Sequence, residues 1–143
     1  GDNFNAAKPH YSLGKALAKK GELEKAISSY RKALELDSNS AEIYQNLGDA
    51  LSENGELDEA VVAYRLAIEL NPDFCWSHNN LGDVLIKQEK WEEAAEAYRS
   101  AIELNPDFYW SYYNLADAYV KLQRWEEAIA AYRRAMELKS DLP

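Results

Sequence analysis

The chain repeats itself every 34 residues, and that period constrains its fold more than any local pattern does. Ala41-Glu-Ile-Tyr-Gln-Asn-Leu-Gly48 aligns with Cys75-Trp-Ser-His-Asn-Asn-Leu-Gly82 and with Tyr109-Trp-Ser-Tyr-Tyr-Asn-Leu-Ala116, and one further step back lands on Ala7-Lys-Pro-His-Tyr-Ser-Leu-Gly14. Four repeats therefore run 7–40, 41–74, 75–108 and 109–142 without insertion, after a short extension at 1–6. Repeats three and four agree at 17 of 34 positions, which chance does not produce.

Counted within a repeat, apolar or aromatic residues fall at positions 4, 7, 8 and 11 and again at 17, 20, 24, 27 and 30, two amphipathic helical stripes. Each repeat is thus a helical hairpin, and the chain is all-α. Gly21 and Gly55 at position 15 end the first helix, and Asn71-Pro72 and Asn105-Pro106 end the second, because proline cannot continue a helix. Asp73, Asp107 and the Ser38-Asn39-Ser40 run are expected to cap the next helices. Small residues at position 8 (Gly14, Gly48, Gly82, Ala116) and position 20 (Ala26, Ala60, Ala94, Ala128) let paired helices approach closely.

This pattern resembles the tetratricopeptide repeat over residues 7 to 142. Tyr30, Tyr64, Tyr98 and Tyr132 match the aromatic at position 24, Ala33, Ala67, Ala101 and Ala135 the alanine at 27, and Pro72 and Pro106 the proline at 32. His10 and His78 depart from the aromatic at 4, and Ser38 and Ser140 from the proline. The resemblance implies an α-solenoid, a right-handed superhelix of four antiparallel helix-turn-helix hairpins whose first helices line a concave groove. Each hairpin buries its apolar face on its neighbours. The family often adds a capping helix, and none follows repeat four; the expectation is a piece of a longer array, or self-association through the uncapped C-terminal repeat.

Composition narrows the chemistry. Sixteen Lys and Arg against 25 Asp and Glu give a net charge of −9, which repels a phosphate backbone and an anionic lipid surface, so neither nucleic acid nor membrane is expected as a partner. No apolar run reaches membrane-spanning length and no leader-like segment opens the chain, so the expected location is cytoplasmic. A single cysteine, Cys75, forms no internal disulfide. Cys75 and His78 share a helix face but lack a second pair of ligands, so no metal is expected. Both histidines sit at a packing position of different repeats, away from any nucleophile, and each glycine has a place in the repeat rather than in a phosphate loop. The reading is therefore neither enzyme nor cofactor protein. Carboxylates such as Glu92-Glu93 and Glu126-Glu127 complement the positive ends of second helices.

If positions 4, 7, 8 and 11 face the core, positions 2, 5, 6, 9 and 13 share the neighbouring face, which the resemblance places in the groove. Position 6 reads Ser12, Asn46, Asn80, Asn114, amides that donate to and accept from a peptide backbone; it is similar to the asparagine ladder of O-linked N-acetylglucosamine transferases. Position 9 reads Lys15, Asp49, Asp83, Asp117, an acidic stretch suited to Lys or Arg. Position 13 contributes Lys87 and Lys121, one turn away. Trp76 and Trp110 at position 2 and Tyr11 and Tyr113 at position 5 are candidate anchors, with Phe74 and Phe108 as packing partners for the tryptophans. Trp91 and Trp125, at position 17, are expected in the hairpin core.

The two-carboxylate clamp for chaperone tails needs cations where this chain has Tyr11, Trp76 and Asn80, or Gln45, Trp110 and Asn114, and so is not expected. By repeat the charge runs +3, −7, −4 and 0, which points to a partner with basic residues over repeats two and three. The expected function is a protein-interaction module holding an extended peptide. Its rivals are the regulatory or substrate-recruiting region of a larger enzyme, such as a glycosyltransferase, and a purely structural stack.

Overall fold

A computed structural model describes residues 2–140, with side chains from residue 5 onward. Gly1 and residues 141–143, the tips of the predicted extension and of repeat four with the final proline, lie outside the described residues. The described residues form eight helices and no strand: α1 (Asp2–Lys20), α2 (Leu23–Leu36), α3 (Ala41–Glu53), α4 (Leu57–Leu70), α5 (Cys75–Lys87), α6 (Trp91–Leu104), α7 (Tyr109–Lys121) and α8 (Trp125–Ser140). They pair as the four predicted hairpins. The predicted extension is part of α1 from Asp2 on. Contacts divide the chain after Pro72 into two units. In the first, α1 packs on α2, α3 on α4 and α2 on α3; in the second, α5 packs on α6, α7 on α8 and α6 on α7.

The hairpins close on one contact. A Cβ built on Gly14 would lie 2.6 Å from the Tyr30 ring, and one on Gly48 or Gly82 would lie 2.7 Å from the Tyr64 or Tyr98 ring. In repeats one to three, position 8 is therefore glycine because the position 24 ring occupies the space a Cβ would need. Repeat four has Ala116 there, and its Tyr132 is only half-buried. Ala26, Ala60 and Ala94 are fully buried beside these rings.

Every first helix ends in the same left-handed turn. Gly21 and Gly55 have φ of +91° and +81°, and in repeats three and four Glu89 and Gln123 take φ of 60° and 59°. In each case two backbone bonds close the turn, such as Glu89 N–H to Ile86 O and Lys90 N–H to Leu85 O, both 2.9 Å. Ser40 caps α3, its Oγ accepting from Ile43 N–H at 3.3 Å. Asp73 and Asp107 do not cap. The extended residue directly before α5 and α7 is Phe74 or Phe108, which has no acceptor, and the aspartates stand one residue too early. Asn105 closes the turn before α7 instead, its Oδ1 accepting from Asp107 N–H at 3.3 Å.

The core is wider than the 4, 7, 8, 11 stripe. Positions 3 and 10 are also sealed, with Ile43, Ser77, Ser111, Val84 and Ala118 all at or below 1% exposure, and in repeats two and four the first helix packs on the second helix of the preceding hairpin. Leu13, at position 7 of repeat one, is exposed, and no described residue covers it. Trp125 is 55% exposed, a correction to its expected place in the hairpin core: α8 meets only α7 among the described helices.

Replacing Glu89 or Gln123 by glycine should raise stability by about 0.5 kcal/mol each, since the relieved left-handed strain exceeds the entropy glycine adds to the unfolded chain. Gly82→Val should lower it by about 2 kcal/mol, because the buried Tyr98 ring has no room to yield. Urea unfolding measures both.

Candidate groove faces

In the first unit, α1 and α3 lie side by side and their polar positions interlock. Asn46 Nδ2 donates to Tyr11 Oη and to its own helix at Glu42 O, both at 2.8 Å. Both amide hydrogens are thus used inside the protein, leaving Asn46 its acceptor. Lys15 Nζ lies 4.5 Å from the centre of the Tyr11 ring, and Tyr11 leans on Tyr30 at 6.0 Å between centroids. Burial raises the Tyr11 hydroxyl pKa, with help from Glu42, and raises that of Tyr30 to about 12, with help from Tyr11 and Asp49. A cavity of about 270 Å³ opens here, lined among others by Lys15, Lys19, Asn46, Asp49 and Glu53.

The acidic positions have a partner that the stripe analysis missed. Tyr64 Oη donates to Asp49 Oδ1, Tyr98 Oη donates to Asp83 Oδ1 at 2.6 Å, and Tyr132 Oη donates to Asp117 Oδ1. The position 24 tyrosine thus reaches through its hairpin and fixes the position 9 carboxylate. The signal was present: Asp at 9 accompanies Tyr at 24, fifteen residues on, in three repeats, and Lys15 replaces it in the first. Burial raises the Asp49 and Asp83 carboxyls above the ordinary value, against the pull of the tyrosine hydrogen bonds; Glu53 adds to the rise at Asp49 and Lys87 opposes it at Asp83.

In the second unit the same face of α5 and α7 carries Asn80 and Asn114, both half-buried, and Asp83 and Asp117. Lys87 acts on Asp83 as its spacing implies, whereas Lys121 Nζ sits 5.4 Å from the Trp91 ring centre. Trp76 and Trp110 are 43% and 45% exposed, and Tyr113 is 44% exposed. Phe108 packs edge-on against Trp76 at 4.7 Å rather than on Trp110, which leans instead on Tyr109 at 4.9 Å and Tyr113 at 5.5 Å. Position 5 is not uniformly exposed. Asn79 is 6% exposed, and its Oδ1 accepts from Ser111 Oγ at 2.7 Å, so it joins α5 to α7.

Among the described residues, no cluster of three or more His, Cys, Asp or Glu could hold a metal ion, and no helix is long and apolar enough to cross a membrane.

Comparison with known proteins agrees with this geometry. Family models described as "TPR repeat" match residues 14–55, 48–88 and 82–123, and one described as "Tetratricopeptide repeat" matches 109–142. The chain belongs to the tetratricopeptide repeat family. Among solved structures, "Crystal structure of MamA" is similar at 30% identity and a TM-score of 0.91, over 94% of this chain and 78% of that one. "Crystal structure of MamA protein" is similar at 30% and 0.91, over 97% and 79%. "MamA 41-end from Desulfovibrio magneticus RS-1" shares the fold at 23% identity and 0.88, over 94% and 76%. A search of curated proteins found no match. The fold is a protein-interaction scaffold, and it is typically not catalytic.

The raised Asp49 and Asp83 carboxyls predict a sign. Their contribution to stability is full below the ordinary carboxyl pKa of 3.8 and is lost as pH rises through the higher folded value. Asp49→Asn with Asp83→Asn keeps an acceptor for each tyrosine and removes the charge. Its stability relative to the native chain should improve between pH 3.5 and pH 7, as measured by urea unfolding at each.

Proposed function

We propose that the chain is a protein-interaction module whose first-helix faces take extended peptide segments. Asn80 and Asn114 pair with the peptide backbone, with Asn46 contributing its remaining acceptor. Asp49, Asp83 and Asp117 select Lys or Arg, while Lys87 and Lys121 limit how much positive charge the face accepts. Trp76, Trp110, Tyr11 and Tyr113 supply aromatic contact. The observation that carries this reading is the tyrosine bond to each aspartate. A carboxylate held by one oxygen from a tyrosine hydroxyl has lost its rotamer freedom before a ligand arrives, so a cationic side chain meets a preset partner. The surplus of acid in repeats two and three adds attraction, weakened by salt.

Peptide display on the native chain, at low and moderate salt, should enrich extended peptides with basic residues. Asn80→Ala with Asn114→Ala should weaken the enriched peptides by about tenfold or more, at roughly 1 kcal/mol per lost hydrogen bond. Asn46→Ala should cost about 1 kcal/mol of stability, because its amide bridges α3 to Tyr11. Enrichment indifferent to Asn80 and Asn114 would move binding off these faces.

A further inference from the structure

The charges of the first unit are sorted differently from those of the second. At positions 9 and 13, α5 and α7 each carry an aspartate and, one turn on, a lysine: Asp83 with Lys87, and Asp117 with Lys121. Each of these helices is close to neutral along that line. In the first unit the signs are divided between helices, with Lys15 and Lys19 on α1 and Asp49 and Glu53 on α3. The carboxyls register the difference. After burial and the tyrosine bond, Lys87 pulls the Asp83 pKa down, whereas Glu53 pushes that of Asp49 up.

One cavity lies between the two sets. Its volume of about 270 Å³ is lined by Lys15 and Lys19 from α1, by Asn46, Asp49 and Glu53 from α3, and by Tyr30 from α2. Three of its polar groups are held in place by the protein itself. Asp49 accepts from Tyr64, Asn46 gives its amide hydrogens to Tyr11 and Glu42 and keeps its acceptor, and Lys15 Nζ stands 4.5 Å from the centre of the same Tyr11 ring. Lys19 and Glu53 are exposed.

A ligand of one sign is poorly suited to such a cavity. A purely basic segment that reaches Asp49 and Glu53 brings its charge beside Lys15 and Lys19, and a purely acidic one meets the reverse, so repulsion offsets the attraction. A ligand with both signs gains at both helices. Helices packed side by side stand about 8–10 Å apart, and side chains on one face of an extended peptide recur at every second residue, about 7 Å along it. An acidic and a basic side chain separated by one residue therefore reach both, with the long lysine stems spanning the remainder.

We infer that the α1–α3 face of the first unit is a binding site for a peptide segment carrying a carboxylate and a cation two residues apart, the carboxylate on Lys15 and Lys19 and the cation on Asp49 and Glu53. Resting on the peptide-binding reading of the first-helix faces, the site adds a condition to it: Asp49 takes a cation together with a nearby acid. The Asn46 acceptor receives a backbone N–H between the two, and the order of acid and base sets the direction in which the peptide runs.

Fluorescence anisotropy on the whole chain tests the site with labelled twelve-residue Gly-Ser peptides. Their centres are Glu-Ser-Lys, Lys-Ser-Glu, the base-only Gln-Ser-Lys and Lys-Ser-Gln, or Lys-Ser-Lys. At low salt the mixed peptide of the preferred order should bind about fivefold more tightly than its base-only counterpart, the upper size of an exposed charge pair. The gap should close as salt rises. K15E with K19E should invert the ranking, so that Lys-Ser-Lys binds most tightly. K19E alone, which leaves Lys15 on its Tyr11 ring, should lose most of the preference with an unchanged circular dichroism spectrum. Equal binding of mixed and base-only peptides by the native chain would overturn the site and leave peptide binding standing, as would a preference that survives both lysine variants. A native chain that binds none of the peptides would overturn both.

Discussion

The contact between the position 24 tyrosine and the position 8 glycine governs nearly every other feature of this fold. It brings the two helices of a hairpin so close that a Cβ on the glycine would collide with the ring, and in repeats two and three the ring's hydroxyl end lies against the next residue of the first helix. There it meets the position 9 aspartate. One side chain therefore sets the spacing of the hairpin and the orientation of a charged group on its exposed face. The small residues at positions 20 and 27 reflect the same closeness, since Ala26, Ala60, Ala94, Ala33, Ala67 and Ala101 are sealed beside the rings.

Within each unit the second helix of one hairpin packs against the first helix of the next. Inside each unit these faces are satisfied by an apolar ridge and by charge pairs such as Arg31 with Glu59 and Arg124 with Glu92. Such exposed pairs contribute little stability. Their weight lies in choosing which hairpin can stack on which, because a like-charge pair at the same place is penalised.

The first-helix face combines two kinds of polar group. Asn46 spends its amide hydrogens on Tyr11 and Glu42, and Asn79 accepts from Ser111, so these amides join first helix to first helix. Asp83 and Asp117 instead stand at the end of a tyrosine tether. The distinction separates residues whose loss should loosen the fold from those whose loss should weaken a ligand.

Four hairpins, their ends and most of the core were legible in the order of residues alone. A 34-residue period, the 3.6-residue stripes and the glycine and proline stops are all local, and local geometry acts on residues a few places apart. Even Glu89 and Gln123 fall at the position where Gly21 and Gly55 mark the left-handed turn. Other features arose only from packing between helices. Asp49 is bound to a tyrosine fifteen residues away, Phe108 packs on Trp76 rather than Trp110, and Trp125 stands exposed. Asp73 and Asp107 fall one residue short of capping. Each of these turns on which side chain a neighbouring helix brings within a few ångströms, and helical periodicity assigns a residue to a face without saying what will meet it there.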